Sequence, residues 1–344
     1  MRGARIGVLA ALVAAACGNN TGGGGGDGGG GGLEGGALPG MSPVLAGCRI
    51  FPNDNPWNRD VSADPLRSDS AALIAAMAPT RGLHPDWGTF TEQYGIPINT
   101  GAAPPVKVTW TASWGPTESD EVPCPNAADG KFCYPIGSDA KIEGGPGASA
   151  KSDRHVLWLD TRGAPDDCVL YELYNAQNWT GPGWTAANGA VFNLRWNTLR
   201  TLGWTSADAA GLPVLPGLVR LDEIKAGVIR HALRFTMDQT RQGYIKPATH
   251  AAGNTGTGDP PMGLRVRLKA GVSVAGASPE ALVLIEAMKR YGLILADNGS
   301  NWYISGETND GWSAVIDGII QALGKIHGGD FEVVDTGPIE TTGL

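Results

Sequence analysis

Residues 21–32 are glycine at every position except Thr21 and Asp27, and glycine recurs to Gly40. Such a tract offers almost no side chain to bury and keeps maximal backbone freedom, so it cannot join a core. It reads as a leash: about 28 residues of flexible chain span roughly 30 Å root-mean-square. A phosphate-cradling loop is excluded, because no Lys-Ser or Lys-Thr follows the glycines and no strand pattern precedes them. Ahead of the tract, Arg2 and Arg5 give a cationic start, residues 6–16 are apolar, and Ala14, Ala15 and Ala16 lead into Cys17. That is the layout of a secretion signal ending in a lipobox. The apolar run is shorter than the roughly 20 residues of a membrane span. The expected organisation is therefore a signal peptide over 1–16, lipidated Cys17 with its tether over 17–45, and one globular β-rich domain over 46–344.

About 300 residues suffice for such a domain. The formal net charge is −8, and no lysine- or arginine-rich run interleaved with aromatics is present, so nucleic acid is not an expected partner. No second long apolar segment follows, so membrane contact is expected through the lipid alone. Of five cysteines, Cys17 is assigned to lipid. The even remainder in an exported protein predicts two disulfides. Cys124 and Cys133 close a short Pro-, Asn-, Asp- and Gly-rich loop, and Cys48 with Cys168 then follows by elimination. Zinc is the weaker alternative, because the Cys-x8-Cys spacing lacks a tight chelating pair. Neither a metal nor a cofactor is expected.

The fold class read from patterning is mainly β, an antiparallel and sandwich-like arrangement with several short peripheral helices. Residues 155–160 (HVLWLD) and 168–174 (CVLYELY) form a hairpin across a turn-rich connection. Residues 228–235 alternate, with Ile229, His231, Leu233 and Phe235 on one face and Val228, Arg230, Ala232 and Arg234 on the other. Residues 264–269 do the same, placing Arg265, Arg267 and Lys269 opposite Leu264, Val266 and Leu268. A helix runs over 279–291, with Ser278 as N-cap, Pro279 in the first turn, Gly292 as the stop and Leu282, Ile285 and Met288 as its apolar stripe. Shorter helices are expected at 70–78, 206–210, 221–227 and 313–323.

The familiar hydrolase signatures, G-x-S-x-G and H-E-x-x-H among them, are missing. Acid–base chemistry must then come from scattered histidines and carboxylates. His231 shares a face with apolar residues, so it is either a satisfied core imidazole or a catalytic one. His155 opens a strand; His84 and Asp86 flank Pro85 as a turn or a ligand pair; His250 lies in PATHAAG. Asp208 and Glu223, or either with Glu172, are the candidate carboxyl pair of a glycoside hydrolase. Helix capping explains Asp208, Asp222 and Glu223 about as well. Arg230 and Arg234, with Arg265, Arg267 and Lys269, make a positive sheet face for an acidic ligand, or merely a solvated sheet surface. Tryptophans at 57, 87, 179, 184, 196, 204 and 302 adjoin loop-forming residues, and Trp204 is the candidate for stacking on a sugar ring.

The segments FPNDNPWNRDVS (51–62), LHPDWGT (83–89), YGIPI (94–98), DRHVLWLD (153–160), GWTSADAAGLPVLPGLVRLDE (203–223), IRHALRFT (229–236), PPMGLRVRLKA (260–270) and YGLILADNGSNWYISG (291–306) resemble a family of secreted bacterial and fungal proteins with no assigned activity. The resemblance covers nearly everything after the tether and implies that this region is one unit. Relatives joined to carbohydrate-binding modules favour a glycan partner. Together these readings predict a surface-tethered lipoprotein acting on extracellular polysaccharide. A glycoside hydrolase would use Asp208 and Glu223 with His231 and His155. A uronate lyase would use Arg230 and Arg234 with a histidine base. The third expectation is a glycan- or wall-binding protein without catalysis.

Overall fold

The computed structural model describes residues 41–343 apart from 178, 180 and 254. The signal, Cys17 and most of the tether lie outside the described residues. Among the described residues strand dominates, at 25% against 17% helix, in four sheets with five short helices. The largest sheet has six strands: β3 (His84–Asp86), β11 (Leu233–Met237), β12 (Arg265–Leu268), β13 (Leu293–Asn298), β14 (Tyr303–Ser305) and β15 (Phe331–Val333). Their order is β15-β12-β13-β11-β14-β3. Four strands, β4 (Ile98–Gly101), β7 (Val156–Asp160), β8 (Val169–Tyr174) and β10 (Asn188–Asn193), form the order β10-β8-β7-β4. A three-stranded sheet holds β5 (Val106–Trp110), β6 (Cys133–Tyr134) and β9 (Gly183–Ala186), and β1 (Val44–Leu45) pairs with β2 (Cys48–Arg49).

The sheets are mixed. The expected β7–β8 hairpin is antiparallel, with Trp158 opposite Tyr171. β11 with β13, β14 with β3, β4 with β7 and β5 with β9 run parallel. Alternation along β7 and β8 explains the layering. Leu157, Leu159 and Leu170 point into the core shared with the six-stranded sheet. Val156, Trp158, Tyr171 and Leu173 point into a second core built with Val108, Tyr134 and Trp184 of the three-stranded sheet. Both faces of the middle sheet are thus covered, which is why its strands read as continuous apolar runs.

The helices are α1 (Ser70–Ala76), α2 (Gly115–Glu118), α3 (Leu221–Lys225), α4 (Pro279–Arg290) and α5 (Ile316–Leu323). α4 begins where expected: Ser278 Oγ accepts the Ala281 N–H at 3.3 Å, with Pro279 in the first turn. Its inward stripe is Ala281, Leu284, Ile285 and Met288, whereas Leu282 faces outward and is 51% exposed. Residues 206–210 form turns instead of a helix. There Ser206 Oγ accepts the Asp208 N–H at 2.9 Å and donates to the Leu212 carbonyl, closing the chain on itself. The alternating stretch 228–235 becomes strand only from Leu233.

Both disulfides form as expected, Cys48–Cys168 and Cys124–Cys133. They point to an extracytoplasmic location. Among the described residues no helix is long and apolar enough to cross a membrane.

Candidate functional site

β11 is an inner strand, between β13 and β14, and successive residues on both of its faces are buried, Leu233 and Phe235 on one and Arg234, 3% exposed, on the other. A buried guanidinium needs acceptors at once. Arg234 donates through Nε and Nη2 to Asp208 Oδ2, at 3.2 and 2.9 Å, and through Nη1 to Ser305 Oγ at 2.7 Å. Asp297, near the end of neighbouring β13, sets Oδ2 3.6 Å from the same Nη2. Asp208 is fully buried, while Asp297 keeps 21% of its side chain exposed. Burial and then the like charge of Asp208 push the Asp297 carboxyl up to about 7, against the opposing pull of Arg234. Asp208 is raised as well, by burial, with Arg234 working against it.

His155 enters the same cluster from the start of β7. Its Nδ1 donates to Glu143 Oε2 at 2.6 Å and its Nε2 to the Ala207 carbonyl at 2.8 Å. Two acceptors on two ring nitrogens hold an imidazolium. Burial acts to lower the His155 pKa, but the charge and hydrogen bond of Glu143 prevail and lift it to about 10. Burial likewise pulls Glu143 upward, and His155 outweighs it, so Glu143 stays below the usual carboxylate value. The Glu143 side chain is 26% exposed.

Tyr174, at the end of β8, is half-buried, its ring 5.9 Å from that of His155. Burial raises its phenol first, followed by the charges of Asp153, Asp297 and Glu143. The hydroxyl therefore sits in the joint field of three carboxylates. On β3, Asp86 and His84 occupy one face and are joined through Tyr94. The Tyr94 hydroxyl donates to Asp86 and lies 2.9 Å from His84 Nε2, and His84 stacks on Tyr303 at 4.1 Å. Burial raises Asp86, the Glu143 charge adds to this, and the Tyr94 hydrogen bond opposes it. A cavity of about 330 Å³ opens on the Asp297 and Tyr174 side of this cluster, lined also by Asp153, Glu118, Trp114 and His250, whereas Glu143 is not part of its lining. No group of three or more metal-ligating side chains is arranged to hold a metal among the described residues.

Asp208, Arg234 and His155 thus come together, but not in the roles expected from sequence. Arg234 does not offer a positive face to a ligand, because its donors are taken by Asp208 and Ser305. Arg265 is buried too, bonded to the carbonyls of Pro56, Arg59 and Tyr291, and Arg267 pairs with Glu332 at 2.7 Å. Glu223 shares no ion-pair partner with Asp208. It bonds His231 Nε2 at 2.9 Å and Arg220 at 3.0 Å, while His231 Nδ1 lies 2.8 Å from the Ala232 carbonyl. His231 is therefore a satisfied core imidazole. Arg230 is half-buried beside that pair, and its charge acts on Glu223. Glu172 is fully buried, accepts the N–H groups of Val214 and Leu215 at 3.0 Å, and is pushed by burial up to about 7 against those bonds. Trp204 is half-buried, its ring centroid 5.9 Å from the Arg200 guanidinium, and it lines neither that cavity nor the groove described below.

Glu143, Asp153, Asp297, Tyr94 and Tyr174 were not singled out by sequence. The signal available for Asp297 was an acidic residue closing a buried apolar run, LILAD. Glu143 follows the loop segment DAKI and carries no pattern.

No family model, curated protein or solved structure matches this chain. The resemblance to the secreted family rests on its sequence segments alone.

Proposed function

We propose that this protein is an exported, lipid-anchored glycoside hydrolase acting on extracellular polysaccharide, with Asp297 as the acid and Glu143 as the base or nucleophile. What supports this reading is the placement of two partly exposed carboxyls in one buried charge cluster, Asp297 with Oδ2 3.6 Å from Arg234 Nη2 and Glu143 held by His155 Nδ1 at 2.6 Å, with their proton affinities displaced in opposite directions. Asp297 is raised to about 7 and Glu143 is lowered. One environment keeps a proton near neutral pH and the other keeps a charge, the division of labour that glycosidic cleavage requires. Asp297 protonates the departing glycosidic oxygen. Glu143, held ionised by His155, activates water or attacks the anomeric carbon. Tyr174 and Asp153 line the approach. Asp208 and Arg234 are positioning residues that set the proton affinity of Asp297 without touching substrate. The anchor on Cys17 and the glycine tether would keep the enzyme at the cell surface, with no role for nucleic acid.

Elimination from a uronate polymer is the second reading, supported by the His84–Tyr94–Asp86 chain, which places a phenol between an imidazole and a carboxylate. The excess of carboxylates around Asp297 weighs against it, because a uronate would meet like charge.

A panel of soluble polysaccharides, read for new reducing ends and for the absorbance of unsaturated uronates, separates these. The hydrolase reading expects reducing ends without unsaturation, and a loss of about 100-fold or more in kcat for Asp297→Asn and for Glu143→Gln. Unsaturated products would replace it by elimination. Binding without any product would leave a wall-binding protein.

A further inference from the structure

The segment that carries Glu143 also walls a second cavity. Ile142, Gly144 and Gly145 line a groove of about 630 Å³ together with Phe90 and Trp179. Phe90 is 37% exposed, and half-buried Trp179 is held edge-on against buried Trp184 at 5.5 Å. Asp139, Asp310, Gln93 and Ser138 bring exposed polar groups to the groove, and buried Thr308 also lines it. The Lys141 ammonium lies 3.8 Å over the Phe90 ring and so belongs to the wall. Gly145 adopts φ +72°, and a Cβ on it would come within 2.7 Å of the Gln93 side-chain nitrogen. A glycine here keeps the rim amide in place.

Two aromatic rings, the free face of Phe90 and the ring of Trp179, set among hydrogen-bonding groups match one kind of ligand, a ring with apolar faces and a polar circumference. The charge narrows the choice. Rim carboxylates accept hydrogen bonds from hydroxyls, and the one lysine is already engaged with an aromatic ring. A carboxylated sugar would find repulsion without a free cation to offset it. We infer that this groove binds an uncharged pyranose of the polymer beside the cleaved bond, making the substrate a neutral glycan instead of a uronate. The inference rests on the proposed hydrolase reading for its link to Glu143, but binding tests it independently of turnover.

The full chain carrying Asp297→Asn, which stops turnover, is titrated calorimetrically with cellohexaose, laminarihexaose, chitohexaose and hexagalacturonate. At least one uncharged hexasaccharide is expected to bind. Phe90→Ala and Trp179→Ala should each weaken it by about tenfold or more, equivalent to roughly 1.4 kcal/mol. Phe90→Tyr, which keeps the stacking face, should bind as the parent does, and unchanged melting temperatures would exclude misfolding as the cause. Equal or tighter binding of hexagalacturonate, no binding by any probe, or indifference to both alanine changes would overturn the inference. Failure of the hydrolase reading looks different: no reducing ends from any sugar, with the Phe90 and Trp179 effects on binding intact.

Discussion

Arg234 illustrates how a single residue reverses its expected role when its strand is covered on both sides. In an alternating LRFT pattern a surface arginine is the ordinary reading, yet here the charge is buried with Asp208 and Asp297. Removing one partner of such a pair strands the other, at a cost of about 3–5 kcal/mol. Arg234→Met should lose that much in urea unfolding, and adding Asp208→Asn should return part of it. A single-variant loss below about 1 kcal/mol would mean that Asp208 is not charged there. Asp297 makes a second prediction, in pH. Its ordinary value is 3.8 and its folded value about 7. Between these the folded protein holds a proton that the unfolded chain has released. This contribution to stability is therefore full below about pH 4 and lost as pH rises through about 7. Asp297→Asn should flatten the fall in melting temperature across that window. In activity, kcat should decline as pH rises through about 7, where the acid loses its proton. A kcat that keeps rising through pH 8 would remove Asp297 from that role.

Among the elements, those set by local chemistry were the legible ones. The β7–β8 hairpin followed from two aromatic-rich runs around a turn segment, and α4 from a capping serine, a first-turn proline and a terminal glycine. Ser278→Ala should cost about 1 kcal/mol by removing the acceptor for the Ala281 N–H, whereas Ser278→Asp should be nearly neutral. Thermal melts of the two variants check this, and equal losses would show that the cap contributes nothing. Elements set by tertiary demand were misread. Residues 206–210 carry helix-favouring alanines, but the Ser206 and Asp208 side chains bond locally to backbone and to Arg234, which holds a turn. Leu282 fits an apolar stripe by spacing, yet the contact surface beneath α4 is centred on Leu284 and Met288, so the helix is rotated away from it.

At the scale of the molecule, the site draws on residues 86, 143, 155, 208, 234 and 297, most of them far apart in the chain, from two sheets and two loops. Periodicity assigns a residue to a face but not a face to a neighbour, so no pattern in the sequence could join Glu143 to His155 or Arg234 to Asp297. The cysteines were the exception: parity and compartment implied two disulfides, the short loop between Cys124 and Cys133 picked out one pair, and elimination left the other. Their consequence is a ranking. Cys48–Cys168 spans 120 residues and ties β2 to the start of β8, while Cys124–Cys133 spans 9. The first also fastens an N-terminal strap that lies against the six-stranded sheet: the Ala232 N–H donates to the Trp57 carbonyl, and Arg265 reaches the carbonyls of Pro56 and Arg59. Loop-closure entropy assigns about 5 kcal/mol to the long crosslink and about 2–3 kcal/mol to the short one. Replacing Cys48 and Cys168 together by serine should therefore lower the urea midpoint about twice as far as replacing Cys124 and Cys133. The loss should also be accompanied by amide exchange along residues 48–61. If the short-loop pair proved the more costly, the strap would be held by its hydrogen bonds to β11 and β12 and not by the crosslink.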